Sequence, residues 1–223
     1  DAVIWVDMDD PDEKDKRVLE DLFQFHPTVV EDMLADAPTP KSQRFEDYLY
    51  LVFHGLLEGC EAKGEVQTCD LDLFLGKNYV LSSHDERLPA GKAVLAAVQK
   101  NPALFERGPA YIAYLLTDHL VDRYIPLMEK LDHEIDNLET VIAKGNPGPA
   151  LLEEVFDIRH RLQRLRRIGL HQKEILHRLS RGDYEIVPAE IRPYFRDAYD
   201  NFIRVVDMND SFRDIVNGAM EAH

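Results

Sequence analysis

The sequence holds 223 residues, room for one large domain or two small ones, and its 45% hydrophobic content excludes a disordered chain. Its 42 acidic residues outweigh 26 basic ones, giving a net charge of −16. Such a surface repels nucleic acid and anionic lipid and attracts cations, and no run reaches the roughly 18 apolar residues that span a bilayer.

In chain order, Asp1-Ala2-Val3 opens a strand over Val3–Val6 and does not read as a secretory signal. Pro11–Gln24 reads as a helix with Asp10 as N-cap and Pro11 at the first helical position. His26-Pro27 breaks it, and Thr28–Ala35 reads as a short second helix. Tyr48–Leu57, Val66–Leu75 and Tyr79–Ser82 read as strands, the last after a Gly76-Lys77-Asn78 turn. Pro89–Gln99 reads as a helix that closes an α/β unit.

The rest is helical. One run spans Ala110–Ala143, broken by Gly145-Asn146-Pro147-Gly148-Pro149, and the next spans Leu151–Leu179, ended by Arg181-Gly182-Asp183. The first is loaded with acid, from Asp118 and Asp122 to Glu139; the second with base, from Arg159 to Arg181. Antiparallel packing of one against the other would pair those charges, each exposed pair contributing about 0–1 kcal/mol. A basic finger meeting phosphate is the rival reading, although the run lacks aromatic residues for stacking bases.

The last helix, from Ile191 to His223, carries Phe195, Ala198, Phe202, Val205, Phe212, Ile215 and Ala219 on one apolar stripe. Asp200, Asp207, Asp214 and Glu221 recur every seven residues on another stripe. No residue caps its end, so the helix reads as a stalk leading into something larger.

Signatures of catalysis are absent: there is no P-loop, GxGxxG, HExxH or GxSxG pattern. Ser82-Ser83-His84-Asp85-Glu86 gathers catalytic residue types but reads as a polar strand end, because triads are assembled in space and not in sequence. Cys60 and Cys69 flank a turn and read as reduced thiols; with no CxxC pair, a cysteine zinc site is not expected. His171 and His177 are six apart, and His119 and His133 lie about 21 Å apart along one helix, so neither pair chelates alone. The carboxylates Glu31, Asp32, Asp118 and Asp197 offer oxygen ligands suited to a hard cation, magnesium or calcium. Spacing alone leaves a solvated acidic face as the alternative.

Several segments resemble the cytosolic domain of the CorA family of magnesium channels. Trp5-Val6-Asp7 with Pro11-Asp12 is similar to the family's opening strand and turn. Phe25-His26-Pro27 with Glu31-Asp32 resembles its His-Pro…Glu-Asp helix, and Pro40-Lys41 before Tyr48–Val52 its Pro-Lys turn and strand. Tyr79–Asp85 resembles a strand ending in Thr-x-His-Glu, with Asp85 where glutamate is usual. Tyr194–Asp200 and Ser211–Asp214 resemble the start of the stalk.

The resemblance implies an α+β fold: an N-terminal α/β sandwich (1–108), a long helical hairpin (109–182) and a long stalk helix (183–223) leading to membrane spans with a Gly-Met-Asn signature. It implies a homo-oligomer, a pentamer at full length, at the cytoplasmic face of the inner membrane. Its ligands are divalent cations: Mg2+, with Co2+ or Zn2+ as alternatives, and no nucleic acid. It carries ion ligands to Asp32 of one subunit and Asp197 of the next, with Glu31 and Asp118 at a second nearby site. The expected function is magnesium sensing that gates uptake, not enzymatic catalysis. A zinc-transporting ZntB-like domain and a soluble acidic coiled-coil adaptor are the rival readings.

Overall fold

The computed structural model describes residues 2–35, 39–85, 87–143 and 149–221. Five strands, β1 (Ile4–Asp9), β2 (Lys41–Arg44), β3 (Tyr48–Leu56), β4 (Thr68–Gly76) and β5 (Tyr79–His84), form one sheet in the order β1-β5-β4-β3-β2. Among the described residues, only the β1–β5 pair is parallel. Side chains alternate across the sheet, and here both faces are covered. Tyr48, Tyr50, Val52, Phe74 and Leu81 face one core, and Leu49, Leu51, Phe53, Leu71, Leu73, Leu75 and Val80 face the other. Burial on both sides explains why every residue of β3 is buried and why its sequence runs apolar without alternation.

On the first face, a short helix α1 (Asp15–Arg17) runs into a π-helical turn (Val18–Leu22), and α2 (Pro27–Leu34) follows. The expected helix over Pro11–Gln24 is therefore shorter and starts later. Asp10 is not its cap: it sits at φ 47°, and Asp12 instead accepts from the Lys14 N–H. On the second face lie α3 (Cys60–Lys63), α4 (Ala90–Lys100), a 3-10 turn (Pro102–Arg107) and α5 (Pro109–Asp122). They are followed by α6 (Tyr124–Ala143), α7 (Pro149–Arg181) and α8 (Arg192–Glu221).

The run expected over Ala110–Ala143 is two helices. Pro126 has no N–H for the Asp122 carbonyl and its ring crowds that turn, so the ladder breaks at Arg123. Strand β2, Lys-Ser-Gln-Arg, has no sequence signal because it is a short charged edge strand, the kind that resists pairing with other chains. It ends before His54, whose backbone is satisfied by the helices instead: Gln172 accepts from its N–H at 3.0 Å and Tyr124 donates to its carbonyl at 2.7 Å.

The charge-paired hairpin is corrected in part. Arg161 does bond Glu134 at 2.6 Å, but α7 packs most extensively on α8, and Arg166 faces Asp210 there at 3.6 Å. The stripe on α8 explains this: Phe195, Ala198, Phe202, Val205 and Phe212 are all buried, while Asp200, Asp207 and Asp214 are exposed. Cys60 and Cys69 are both free thiols. The expected breaker at Gly145–Gly148, Glu86, the Glu221 side chain and His223 lie outside the described residues.

Candidate metal centre

Helix α2 begins where it does because Pro27 fills the first turn and His26, in extended conformation, caps it through Nδ1 to the Thr28 N–H at 3.3 Å. Val29, Val30 and Met33 bury one side of the helix against the sheet. Glu31 is thereby exposed, and Asp32 reaches β2, where its Oδ2 takes a 2.6 Å hydrogen bond from Lys41 Nζ. Lys41 also lies 5.6 Å from the centre of the Tyr50 ring.

Asp118 and Asp197 sit beyond the other face of the sheet. An aromatic clamp sets the spacing between their helices. The Arg107 guanidinium stacks 3.9 Å from the Tyr111 ring centre and 4.5 Å from that of Tyr194, and donates to the Tyr194 hydroxyl. Tyr194 also meets Tyr114 at 5.3 Å, so the first turns of α8 are seated on α5. This brings the field of Asp197 to bear on Asp118 and on Asp122 one turn further along. Burial, then the Asp122 charge, pushes the Asp118 carboxyl up to about 6, against a hydrogen bond from Tyr114; Asp197 adds to the rise. Burial raises Asp122 as well, with Asp197 adding to it and His119 opposing. Crowded carboxylates that resist ionising together are a site where a cation is favoured. Asp122 belongs with them although motif matching passed over it; its i,i+4 spacing to Asp118 was the available signal.

The structure thus brings Asp118 near Asp197 but not the four expected ligands together. Glu31 and Asp32 stand across the sheet, on a different core. Among the described residues, the group whose ligand atoms all lie within 4.8 Å of one another is elsewhere: Asp7, Asp9 and His84. The strand end read as merely polar is therefore the buried wall of that cluster. His177, exposed in neither extreme, stacks on Tyr199 at 5.0 Å, a packing role.

The family model for the CorA-like Mg2+ transporter protein matches residues 1–223, the whole chain. This chain belongs to the CorA family. The cobalt/magnesium transport protein CorA of Thermotoga maritima is 31% identical over 204 residues, covering 91% of this chain and 58% of that protein. The fold is that of the soluble domain of CorA from Methanocaldococcus jannaschii, with TM-score 0.82 and 20% identity over 97% of this chain and 86% of that one. The ZntB cytoplasmic domain from Vibrio parahaemolyticus shares it too, with TM-score 0.78 and 13% identity over 98% of this chain and 85% of that one. The α+β architecture of sheet and long helices is therefore the CorA soluble-domain fold. None of the described helices is long and apolar enough to cross a membrane.

Proposed function

We propose that this chain is the ion-sensing domain of a magnesium channel, in which Mg2+ bridges Asp32 of one copy and Asp197 of the next. Glu31, Asp118 and Asp122 would frame a second ion. The observation that carries this reading is the placement of the two acidic groups on opposite faces of one domain. A bond between unlike faces is heterologous, and repeated head to tail it closes a ring where the rotation between copies closes, as the expected homopentamer at the cytoplasmic face of the membrane requires. Family membership supports magnesium as the ion, with Co2+ or Zn2+ as competitors.

Mg2+ dehydrates reluctantly, so a few carboxylates hold it largely through its waters. Without the ion, facing carboxylates repel; with it, the sign reverses and the closed ring is favoured. Falling magnesium empties the sites and shifts the population toward open states, by no more than the ion's difference in affinity between them.

The test is protease protection and sedimentation of the domain across a magnesium titration. Protection of the parent, together with its loss in Asp197→Ala and Asp32→Asn at unchanged circular dichroism, is the expected result. Equal protection of parent and variants would remove both residues from the site. Lys41 gives an independent check, because its ammonium occupies the Asp32 oxygen that the ion needs. Lys41→Met is expected to lower the magnesium concentration for half-maximal protection by up to about fivefold, the worth of an exposed ion pair.

A further inference from the structure

The geometry points to a second, intrasubunit metal site formed by Asp7, Asp9 and His84, of the nitrogen-and-oxygen kind that takes Zn2+ or Co2+ in preference to Mg2+. It does not depend on the Asp32–Asp197 reading.

The site lies where β1 and β5 end side by side, with Asp7 opposite Ser82 and Asp9 opposite His84. These are the carboxyl ends of a parallel pair, the place where open α/β sheets form their crevices. Pairing continues one step further, the Asp10 N–H donating to the His84 carbonyl at 2.9 Å, so both strand ends are fixed. Strand alternation sends Asp7, Asp9 and His84 to the face covered by α4 and α5.

The His84 side chain is wholly buried. Its Nδ1 lies 2.9 Å from the Asp85 carbonyl, which can only accept, so Nδ1 carries a hydrogen. That leaves Nε2 facing Asp7 Oδ1 at 3.3 Å, with no hydrogen bond of good geometry between them. A positive charge is favoured between this buried nitrogen and the carboxylate, either the ring's own proton or a metal ion in the proton's place. A tetrahedral ion with the bond lengths usual for zinc separates neighbouring nitrogen and oxygen ligands by about 3.3–3.5 Å, which the observed separation matches.

The surrounding contacts are those of an oriented ligand set. Ser82 donates its hydroxyl to Asp7 Oδ1 and accepts from Trp5 Nε1 at 2.8 Å, fixing the carboxylate. The bond from Nδ1 to a backbone carbonyl fixes the imidazole ring, as it does for metal-bound histidines in general. Asp9, half-exposed, has its Oδ1 3.3 Å from Nδ1 and stands at the solvent side as the third acidic or imidazole group of the cluster. Gly91, in the first turn of α4, leaves the approach open: a Cβ there would lie 2.5 Å from both Asp7 Oδ2 and His84 Nε2. One imidazole with two carboxylates suits a borderline ion; magnesium prefers oxygen alone.

The test is titration of the full chain with Zn2+ and with Co2+ alone, followed by calorimetry and by the visible band of Co2+. Nitrogen-detected NMR would identify the histidine bound. One equivalent is expected to bind, to move the His84 Nε2 resonance and to survive excess Mg2+. Asp9→Asn, at the exposed rim, and His84→Gln are each expected to weaken binding by about tenfold or more. Asp197→Ala is expected to leave this binding unchanged, which separates it from the proposed magnesium site. If Asp9→Asn binds as the parent does and the His84 resonances stay put, the site is not a metal site. Displacement of zinc by millimolar magnesium would overturn the choice of ion.

Discussion

Replacing Arg123 with methionine is expected to destabilise the domain by about 3–5 kcal/mol, the usual cost of breaking a buried ion pair from one side. Arg123 occupies the break between α5 and α6 and reaches back to the sheet. Its guanidinium donates to both oxygens of Glu61 at 2.7 Å, to the Leu56 carbonyl at 3.0 Å and to the Leu57 carbonyl at 3.2 Å. The two side chains are only 12% and 25% exposed, so water replaces these bonds only in part once the arginine is gone. Loss of the guanidinium leaves the Glu61 charge without its partner and takes one donor from each of the Leu56 and Leu57 carbonyls. Urea unfolding reads the result as a lower midpoint at unchanged slope. The double variant Arg123→Met with Glu61→Met is expected to recover part of the loss, since no charge then remains buried alone. A cost below about 1 kcal/mol for the single change would mean that the clamp does not hold the helices to β3. Asp118 and Asp122 lie within the two turns before Arg123, so loosening the clamp is also expected to blunt the response to magnesium.

What the sequence revealed of this fold follows from which forces are local. The stripe on α8 was legible because each apolar residue answers to one packed face, and Phe195 through Phe212 are buried as spaced. Strand β3 was legible because burial on both sides leaves an unbroken apolar run. The break at Arg123 was written in Pro126, but a strong apolar period on both sides of it masked the signal. Asp10 was a reasonable cap by residue type, and only the turn geometry that sends it to positive φ and starts the helix later removes it from that role. The charges of α6 and α7 were read correctly in sign and only partly in partner, Arg161 meeting Glu134 but Arg166 meeting Asp210, because the apolar stripe of α8 decides the packing and surface pairs follow it. The expected metal ligands came from motif resemblance, and the sheet then places them on two sides of the domain. The cluster of Asp7, Asp9 and His84 joins residues far apart in the chain through a parallel strand pair, a register that no local pattern specifies.

Asp72 carries the remaining large effect. It is 4% exposed on β4, and the Tyr50 hydroxyl donates to it. Burial holds its carboxyl well above the ordinary range; Tyr50 works against this, and the Asp70 charge adds to it. The sign follows from linkage. A carboxyl whose pKa is raised on folding binds its proton more tightly in the native state, so stability falls as pH rises from the ordinary carboxylate range through the raised value. Below that range both states are protonated and the penalty is absent. Asp72→Asn keeps the acceptor for Tyr50 and removes the ionisation. It is expected to stabilise the domain by about 1–3 kcal/mol at about pH 8, with the gain shrinking toward about pH 4. Thermal melting of parent and variant across that range measures both the size and the slope. A parent more stable than the variant at high pH would mean that the Asp72 charge is compensated in place. Lys41 is the nearest means of doing so, since it opposes the rise at Asp72 while bonding Asp32. The buried acid and the proposed ion ligand would then share one counter-charge, and Lys41→Met would raise the cost of Asp72 as it frees Asp32.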